Sequence, residues 1–281
     1  MKLFLRNMRP ARTATVAIAS VAAGMALTVP GLALASHVGQ AVPAPPTSPT
    51  SADQIQNIDQ VRTAIKGYYG AVKSGTNPID GTTLTQYDPN GSYAHEVEGI
   101  AAGASKYLAH HHKSTAGKAV LFDVDDTTLN TYSYEIYSNF VYNPTSNAAF
   151  VNAGSASVFP PVPGMVDLEQ KAIDEGYQVF FLTGRPGTQR DGTVSNLVSA
   201  GYDGVSATDS SHLYLKDYAA DTWLSPCAPS CTTIQYKSLT RQYIESQGYE
   251  IVANFGDQFS DLKGGFADRT YKIPNPTYFL P

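Results

Sequence analysis

Two cysteines in 281 residues are too few for a disulfide-dense small scaffold or a four-thiolate zinc site. Positive charge is also in short supply: 19 Lys and Arg stand against 24 Asp and Glu, a formal charge of −5. Lys2, Arg6, Arg9 and Arg12 are the only charged residues before Ser36, so the remainder holds 15 basic against 24 acidic residues, or −9. That balance excludes a general nucleic-acid binder, which needs a basic face. Beyond the N-terminal segment no run is apolar enough to span a bilayer, so no stable membrane span is expected. Apolar content itself is not lacking. With 42% hydrophobic residues the chain can build a real core, which excludes wholesale disorder, and its length allows one large domain or two small ones.

Residues 2–12 form a basic n-region, and residues 13–34 are apolar and small, ending in Ala33-Leu34-Ala35. This is the A-x-A pattern of a signal-peptidase site. Residues 1–35 are therefore expected to be a signal peptide cleaved after Ala35, and the protein to be secreted or held in the cell envelope. Pro30 and Gly31 favour cleavage over an uncleaved anchor, and the lack of an adjacent Arg-Arg pair favours the general secretory route. Residues 36–52 carry Pro43, Pro45, Pro46 and Pro49 and read as an extended tether, leaving 53–281 as the folded domain. Outside the cytoplasm, nearby thiols usually oxidise to each other. Cys227 and Cys231 are accordingly expected to form a structural bridge. A metal or redox pair is the weaker alternative, since three residues intervene rather than two and no His lies close in sequence.

Past the tether the hydrophobic pattern is that of an α/β protein. Ser51 and Gln54 can form a capping box, after which Ile55, Ile58, Val61 and Ile65 recur at helical spacing. A second helix carries Val97, Ile100, Ala104 and Leu108. The run Lys118-Ala119-Val120-Leu121-Phe122 suits a strand buried on both faces. Three later segments, Glu175-Gly176-Tyr177, Ala200-Gly201-Tyr202 and Gln247-Gly248-Tyr249, each end a helical stretch at a glycine. Strands are clearest at residues 178–182 and 251–255. Alternating strands and helices predict a mostly parallel sheet between helices.

In such sheets the chemistry sits at the carboxyl ends of the strands. Those ends read Asp123-Val124-Asp125-Asp126-Thr127-Thr128, Thr183-Gly184-Arg185-Pro186 and Gly256-Asp257-Gln258-Phe259-Ser260-Asp261. Carboxylates gathered at one point repel one another unless something neutralises them. A hard divalent cation does so, and oxygen ligands suit Mg²⁺. One such Asp is commonly a helix cap; two acidic strand ends flanking a Thr-Gly-Arg tip make capping the weaker explanation.

Asp123-Val124-Asp125-Asp126-Thr127 resembles the D-x-D-x-T motif of the haloacid dehalogenase (HAD) superfamily. Leu182-Thr183-Gly184-Arg185 is similar to its second motif, Lys237 to its third, and Gly256-Asp257 with Asp261 to its fourth. Tyr236-Lys237-Ser238 with Arg241, the stretch from Asn254 through Asp257 and Asp261 to Leu262, and Arg269-Thr270-Tyr271-Lys272-Ile273-Pro274-Asn275-Pro276 resemble its acid phosphatase branch. That branch includes class B and C acid phosphatases and plant vegetative storage proteins. The resemblance covers about residues 118–281, with a weaker helical lead-in from Tyr93.

It implies a Rossmann-like HAD core with a small cap insert at residues 130–160 and a small phosphorylated substrate. Asp123 would be the nucleophile that forms an aspartyl-phosphate, and Asp125 the general acid and base, favouring acidic conditions. Thr183 and the Gly184 N–H would bind phosphoryl oxygens, with Lys237 adding positive charge. Mg²⁺ would be held by Asp123, the Asp125 carbonyl and Asp257, with Asp261 a further ligand or a partner of one. Asp126 is expected to be an N-cap or a sheet-side hydrogen-bonding residue rather than a catalytic one, and Arg185 and Arg190 to lie near the phosphate. Arg190 suits a structural carboxylate as well as it suits substrate. A non-catalytic storage or phosphate-binding protein is the alternative on the same scaffold.

Other features carry less. His110, His111 and His112 point in different directions on a helix and cannot form the face of a zinc helix. Residues 129–160 contain no Lys, against phosphonate chemistry of the imine type. They do hold Tyr132, Tyr134, Tyr137, Phe140, Tyr142 and Phe150, which could either stack on a substrate or pack the cap against itself. Trp223 and most tyrosines are assigned to packing. No feature of the sequence sets an oligomeric state.

Overall fold

The computed structural model describes residue 51 and residues 55–111 and 114–281. The expected signal peptide, most of the tether, Gln54 of the expected capping box, and His112 lie outside the described residues. Helix α1 (Ile58–Tyr69) starts at Asn57, whose side chain accepts a hydrogen bond from Asp59 N. Ile55 and Ile58 are exposed, while Ile65 and Tyr69 are buried. The apolar repeat thus begins a turn before the face that packs. A hairpin follows, β1 (Val72–Thr76) antiparallel to β2 (Thr83–Gln86), and then α2 (Ser92–His111). Val97, Ala104 and Leu108 of α2 are fully buried, as their spacing predicts.

Strand β3 (Lys118–Phe122) leads to α3 (Tyr132–Tyr137), α4 (Pro144–Asn152) and α5 (Met165–Asp174). Then come β4 (Gln178–Pro186), α6 (Arg190–Ala200), α7 (Gly204–Thr208), β5 (Leu213–Lys216), α8 (Thr233–Ser246), β6 (Glu250–Gly256), α9 (Phe259–Leu262) and β7 (Thr270–Lys272). The five strands pair in the order β5-β4-β3-β6-β7, and every pairing is parallel. Gly176, Gly201 and Gly248 each take a positive φ (89°, 100° and 96°) where a helix gives way, as their placement predicts.

The strand alternation divides the core into two layers. Val120 and Phe122 of β3, with Val179 and Phe181 of β4, pack against α2 and α5 through Leu108, Leu168 and Ala172. Ala119 and Leu121, with Phe180 and Leu182, face the other way, toward Tyr236 and Ile244 of α8. In β6 the register slips by one against β3, so Val252 and Ala253 both join the first layer. This burial on both faces makes β3 a continuous apolar run.

Trp223 stacks on Tyr243 with ring centroids 4.0 Å apart, a packing role. Cys227 and Cys231 form a disulfide, and neither is free. Among the described residues no helix is long and apolar enough to cross a membrane.

Candidate active site

With β4, β3 and β6 adjacent, three carboxyl ends open side by side. Asp123 leaves β3 with its N–H still bonded to Phe255 O of β6 (3.0 Å). Asp257 follows β6, and Asp261 lies on α9. Gly256 permits the return of α9: a Cβ there would fall 2.4 Å from Asp261 Cβ. Oxygens of Asp123, Asp257 and Asp261 come within 4.8 Å of one another, all three residues buried.

Lys237 reaches this cluster from α8. Its ammonium, on a side chain only 3% exposed, donates to Asp123 Oδ1 (2.5 Å), Leu182 O (2.7 Å) and Asp261 Oδ1 (2.9 Å). Burial alone would lower its pKa, but Asp123 and Asp261 outweigh burial and raise it. Asp123 is raised well above the carboxylate range by burial and by Asp261, against the pull of Lys237. Asp257 is pushed up to about 8 by burial, then by Asp261 and Asp126. Three buried carboxylates against one bonded ammonium leave an excess of negative charge.

A hard cation fits that excess. Asp257 Oδ2 accepts from Gln258 Nε2 (2.6 Å) and Asn275 Nδ2 (2.7 Å), while among the described residues its Oδ1 has only a long bond from Thr127 Oγ1 (3.4 Å). Asp123 Oδ2 accepts no hydrogen bond from a described residue. Asp261 engages both oxygens, Oδ1 with Lys237 and Oδ2 with Gln258 N (2.9 Å). Asp123 and Asp257 therefore each keep an oxygen open to a metal ion, and Asp261 serves chiefly to hold Lys237 and the α9 turn.

Arg241 holds that turn from below. It has no exposed surface, and its guanidinium donates to the carbonyls of Gly265 (2.8 Å), Asp261 (2.5 Å) and Lys263. The C-terminal tail closes the near side. Leu280 N donates to Gln258 Oε1 (2.9 Å), Ser260 Oγ to Leu280 O (3.2 Å), and Thr277 N to Asn275 Oδ1 (2.9 Å). The Tyr278 phenol is raised by burial and then by Asp257, Asp126, Asp125 and Asp123, so the tail lies against the acidic cluster.

Thr183 is buried at the end of β4, where its Oγ1 accepts from Arg185 N (3.1 Å) and keeps its proton for another acceptor. Gly184 is exposed, with open space where a Cβ would stand. Asp125 is not in the carboxylate cluster. Its side chain, 30% exposed, is held by Arg185 through Nε (2.9 Å to Oδ2) and Nη2 (2.6 Å to Oδ1). Arg185 Nη1 is fixed in turn by Thr193 Oγ1 and Asn196 Oδ1 (3.1 Å each). Arg185 thus orients Asp125, where the sequence places it only near the phosphate. Arg190 donates to Leu213 O (2.8 Å), and its charge pulls down the pKa of the Asp221 carboxylate, which burial raises, the structural-carboxylate side of the expectation.

Asp126, with φ 55°, is a hydrogen-bonding residue and not an N-cap, a position that Thr131 takes for α3: it accepts from Thr131 N (3.0 Å) and Thr131 Oγ1 (2.5 Å), pinning the start of α3. Its pKa rises to about 7, through burial. In α3, Glu135 is buried and pushed up to about 7 by burial and then by Asp125. The aromatics of residues 130–160 mostly pack. Tyr132 stacks on Tyr69 (4.3 Å), and Tyr134 and Phe159 adjoin Phe150, while Tyr142 is 71% exposed. His110 bonds back to Lys106 O and takes no part in the site.

Sequence reasoning missed the Arg185–Asp125 pair, the Asn275–Asp257 bond and Glu135. Arg185 and Asn275 lie inside stretches it singled out, but neither spacing nor residue type names the partner. Glu135 has no sequence signal beyond its nearness to Asp126.

The family described as HAD superfamily, subfamily IIIB (Acid phosphatase), matches residues 75–281. "Acid phosphatase 1" of Solanum lycopersicum is 31% identical over 70% of this chain and 73% of its own length. "Vegetative storage protein 2" of Arabidopsis thaliana is 31% identical over 57% of this chain and 56% of its own. Among solved structures, the class C acid phosphatase of Bacillus anthracis with tungstate bound superposes with a TM-score of 0.51 at 20% identity, over 66% of this chain and 81% of that one. The chain belongs to the acid phosphatases of HAD subfamily IIIB, and its enzyme class is phosphomonoester hydrolase.

Proposed function

We propose that the protein is an exported, Mg²⁺-dependent acid phosphatase that hydrolyses small phosphate monoesters through phosphoryl-Asp123. The observation that carries this reading is Lys237 bridging Asp123 and Asp261 beside Asp257, at the carboxyl ends of adjacent strands. Asp123, Asp257 and the Asp125 carbonyl would hold the ion. When bound, Mg²⁺ supplies charge neutralisation at the phosphoryl oxygens.

An Asp123 oxygen attacks phosphorus. As the bond to the leaving oxygen breaks, Asp125 gives that oxygen a proton. Asp125 then takes a proton from the attacking water, the bond between Asp123 and phosphorus breaks, and inorganic phosphate leaves. Thr183 has its hydroxyl proton available for a phosphoryl oxygen, with the Gly184 N–H beside it. Lys237 orients Asp123 and offsets charge in a chain that is otherwise acidic. Residues 130–160, with α3 and α4, act as a small cap.

Export with cleavage after Ala35 is supported by the basic start, the Ala33-Leu34-Ala35 site and the Cys227–Cys231 disulfide. N-terminal sequencing of the mature protein checks it: Ser36 is the expected first residue. The names of the storage-protein relatives favour a second reading, a non-catalytic protein on the same scaffold. Phosphate release from para-nitrophenyl phosphate, abolished by EDTA and in Asp123→Asn, separates the two. No release at any pH would favour storage.

A further inference from the structure

A cleft of about 440 Å³ lies at the end of the sheet away from the acidic cluster. Ser210 stands just before β5 and Tyr249 just before β6, while Tyr243 and Gln247 stand where α8 ends, so the amino ends of the strands frame it. Asp123 and Asp257 follow the carboxyl ends of theirs. The volume falls within the ~300–1,000 Å³ of small-ligand sites.

The aromatic side chains of the cleft are held in place by one another. Trp223 and Tyr243 stack with ring centroids 4.0 Å apart, and Trp223 Nε1 donates to Thr240 Oγ1 (3.1 Å). Tyr214 meets both rings edge-on, at 5.7 and 6.2 Å, and Tyr249 meets Phe180 in the same way at 5.0 Å. Their hydroxyls are uncommitted. Among the described residues the phenols of Tyr214, Tyr243 and Tyr249 make no hydrogen bond. Tyr214 is only 7% exposed, and its hydroxyl belongs to that exposed part. Burial, and then the Tyr243 and Tyr249 phenols, raise its pKa, as neighbouring hydroxyls would.

No residue that lines the cleft carries a charge. Beside it, Asp209 and His212 bond each other (3.2 Å), and Asp209 also accepts from Ser211 N (2.8 Å). The lining thus offers no cation to hold a phosphate or another anion. An acyl chain would leave three hydroxyls and the Gln247 amide dry and unpaired, which is costly. Aromatic faces bordered by uncharged donors and acceptors suit instead a molecule with apolar C–H faces and a rim of hydroxyls. We propose that this cleft binds a neutral saccharide, with sugar C–H groups against the aromatic rings and sugar hydroxyls on Tyr214, Tyr243, Tyr249 and Gln247. A glycan held at this end of the sheet would tether the protein and leave Asp123 uncovered. Binding here does not depend on the phosphatase reading.

Trp223 is the only tryptophan of the chain, so tryptophan emission reports on this cleft. The mature protein is titrated with maltohexaose, cellohexaose and xylohexaose, all neutral, and with hexagalacturonate as the anionic counterpart. At least one neutral hexasaccharide should shift the emission saturably, and hexagalacturonate should bind about tenfold more weakly or less. Tyr214→Phe, Tyr243→Phe and Tyr249→Phe made together keep the rings and remove three neutral hydrogen bonds, so binding should weaken by about 10–100-fold. Gln247→Ala, at an exposed position, should weaken it by about 3–10-fold. Both variants should hydrolyse para-nitrophenyl phosphate as the parent does, and saturating saccharide should leave that rate unchanged. No saturable shift with any neutral hexasaccharide overturns the proposal, and that result needs no variant to fold. Binding that both variants retain in full, equal binding of hexagalacturonate, or competition between saccharide and para-nitrophenyl phosphate overturns it as well. If para-nitrophenyl phosphate is not hydrolysed at all, the phosphatase reading fails alone, and the emission titration still decides saccharide binding.

Discussion

Replacing Lys237 with methionine removes the ammonium from a site that has been built around it. The side chain is 3% exposed and bonds two carboxylates, at 2.5 and 2.9 Å. At an effective dielectric near 20, each contact of about 3 Å corresponds to ~5–6 kcal/mol before desolvation is counted. Breaking one side of a buried pair costs about 3–5 kcal/mol net, because the other charge stays buried without a partner. Methionine keeps most of the volume, so packing contributes little to the loss. Lys237→Met should therefore lose about 3–5 kcal/mol in chelator at pH 8, measured by urea unfolding. The loss should shrink at pH 5, because Asp123 and Asp257 have raised pKa values and take up protons there. Mg²⁺ should recover part of it at pH 8 by supplying the missing positive charge. A variant within about 1 kcal/mol of the parent at pH 8 would refute the coupled-charge account of this site.

Other consequences can be measured alongside. Arg185→Lys cannot hold Asp125 through two nitrogens while also bonding Thr193 and Asn196, so kcat should fall about 10–100-fold with KM changed much less. Asn275→Ala removes a 2.7 Å hydrogen bond to Asp257 and should weaken Mg²⁺ binding by about 10–100-fold, read from metal-dependent thermal stabilisation. Glu169 is fully buried, leaves Oε2 without a partner among the described residues, and has its pKa raised from 4.5 to about 7 by burial and then by Asp203. A raised carboxylate gives stability that is complete below pH 4.5 and lost as the pH climbs through 7. Glu169→Gln should flatten that slope and stabilise the protein at pH 8 by up to ~3 kcal/mol, followed by thermal unfolding across pH 4–8.

How much of this was legible in the sequence depends on the range of the interaction concerned. Strand β3 announces itself because both its faces are buried, and Asp123 follows from the rule that places function at strand ends. Gly176, Gly201 and Gly248 mark helix ends because a left-handed residue is cheap only for glycine. The β1–β2 hairpin stayed hidden, since Val72-Lys73-Ser74-Gly75-Thr76 is polar and mostly exposed and gives no alternation to detect. Strands β5 and β7, of four and three residues, are too short to show a period. Within the site, residue types were legible and pairings were not. Arg185 meets Asp125 from 60 positions away, and Asn275 meets Asp257 across a turn of the tail. Such contacts depend on how the strands are ordered, which no local pattern records.

The central claim is that Asp123 becomes covalently phosphorylated. Rapid mixing of the mature protein with para-nitrophenyl phosphate and Mg²⁺, an acid quench within one turnover, and mass spectrometry of the peptides tests it directly. A phosphorylated peptide carrying Asp123, absent in Asp123→Asn and absent without metal, is the result predicted. Steady phosphate release with no trapped phosphoryl group on that peptide would contradict the account.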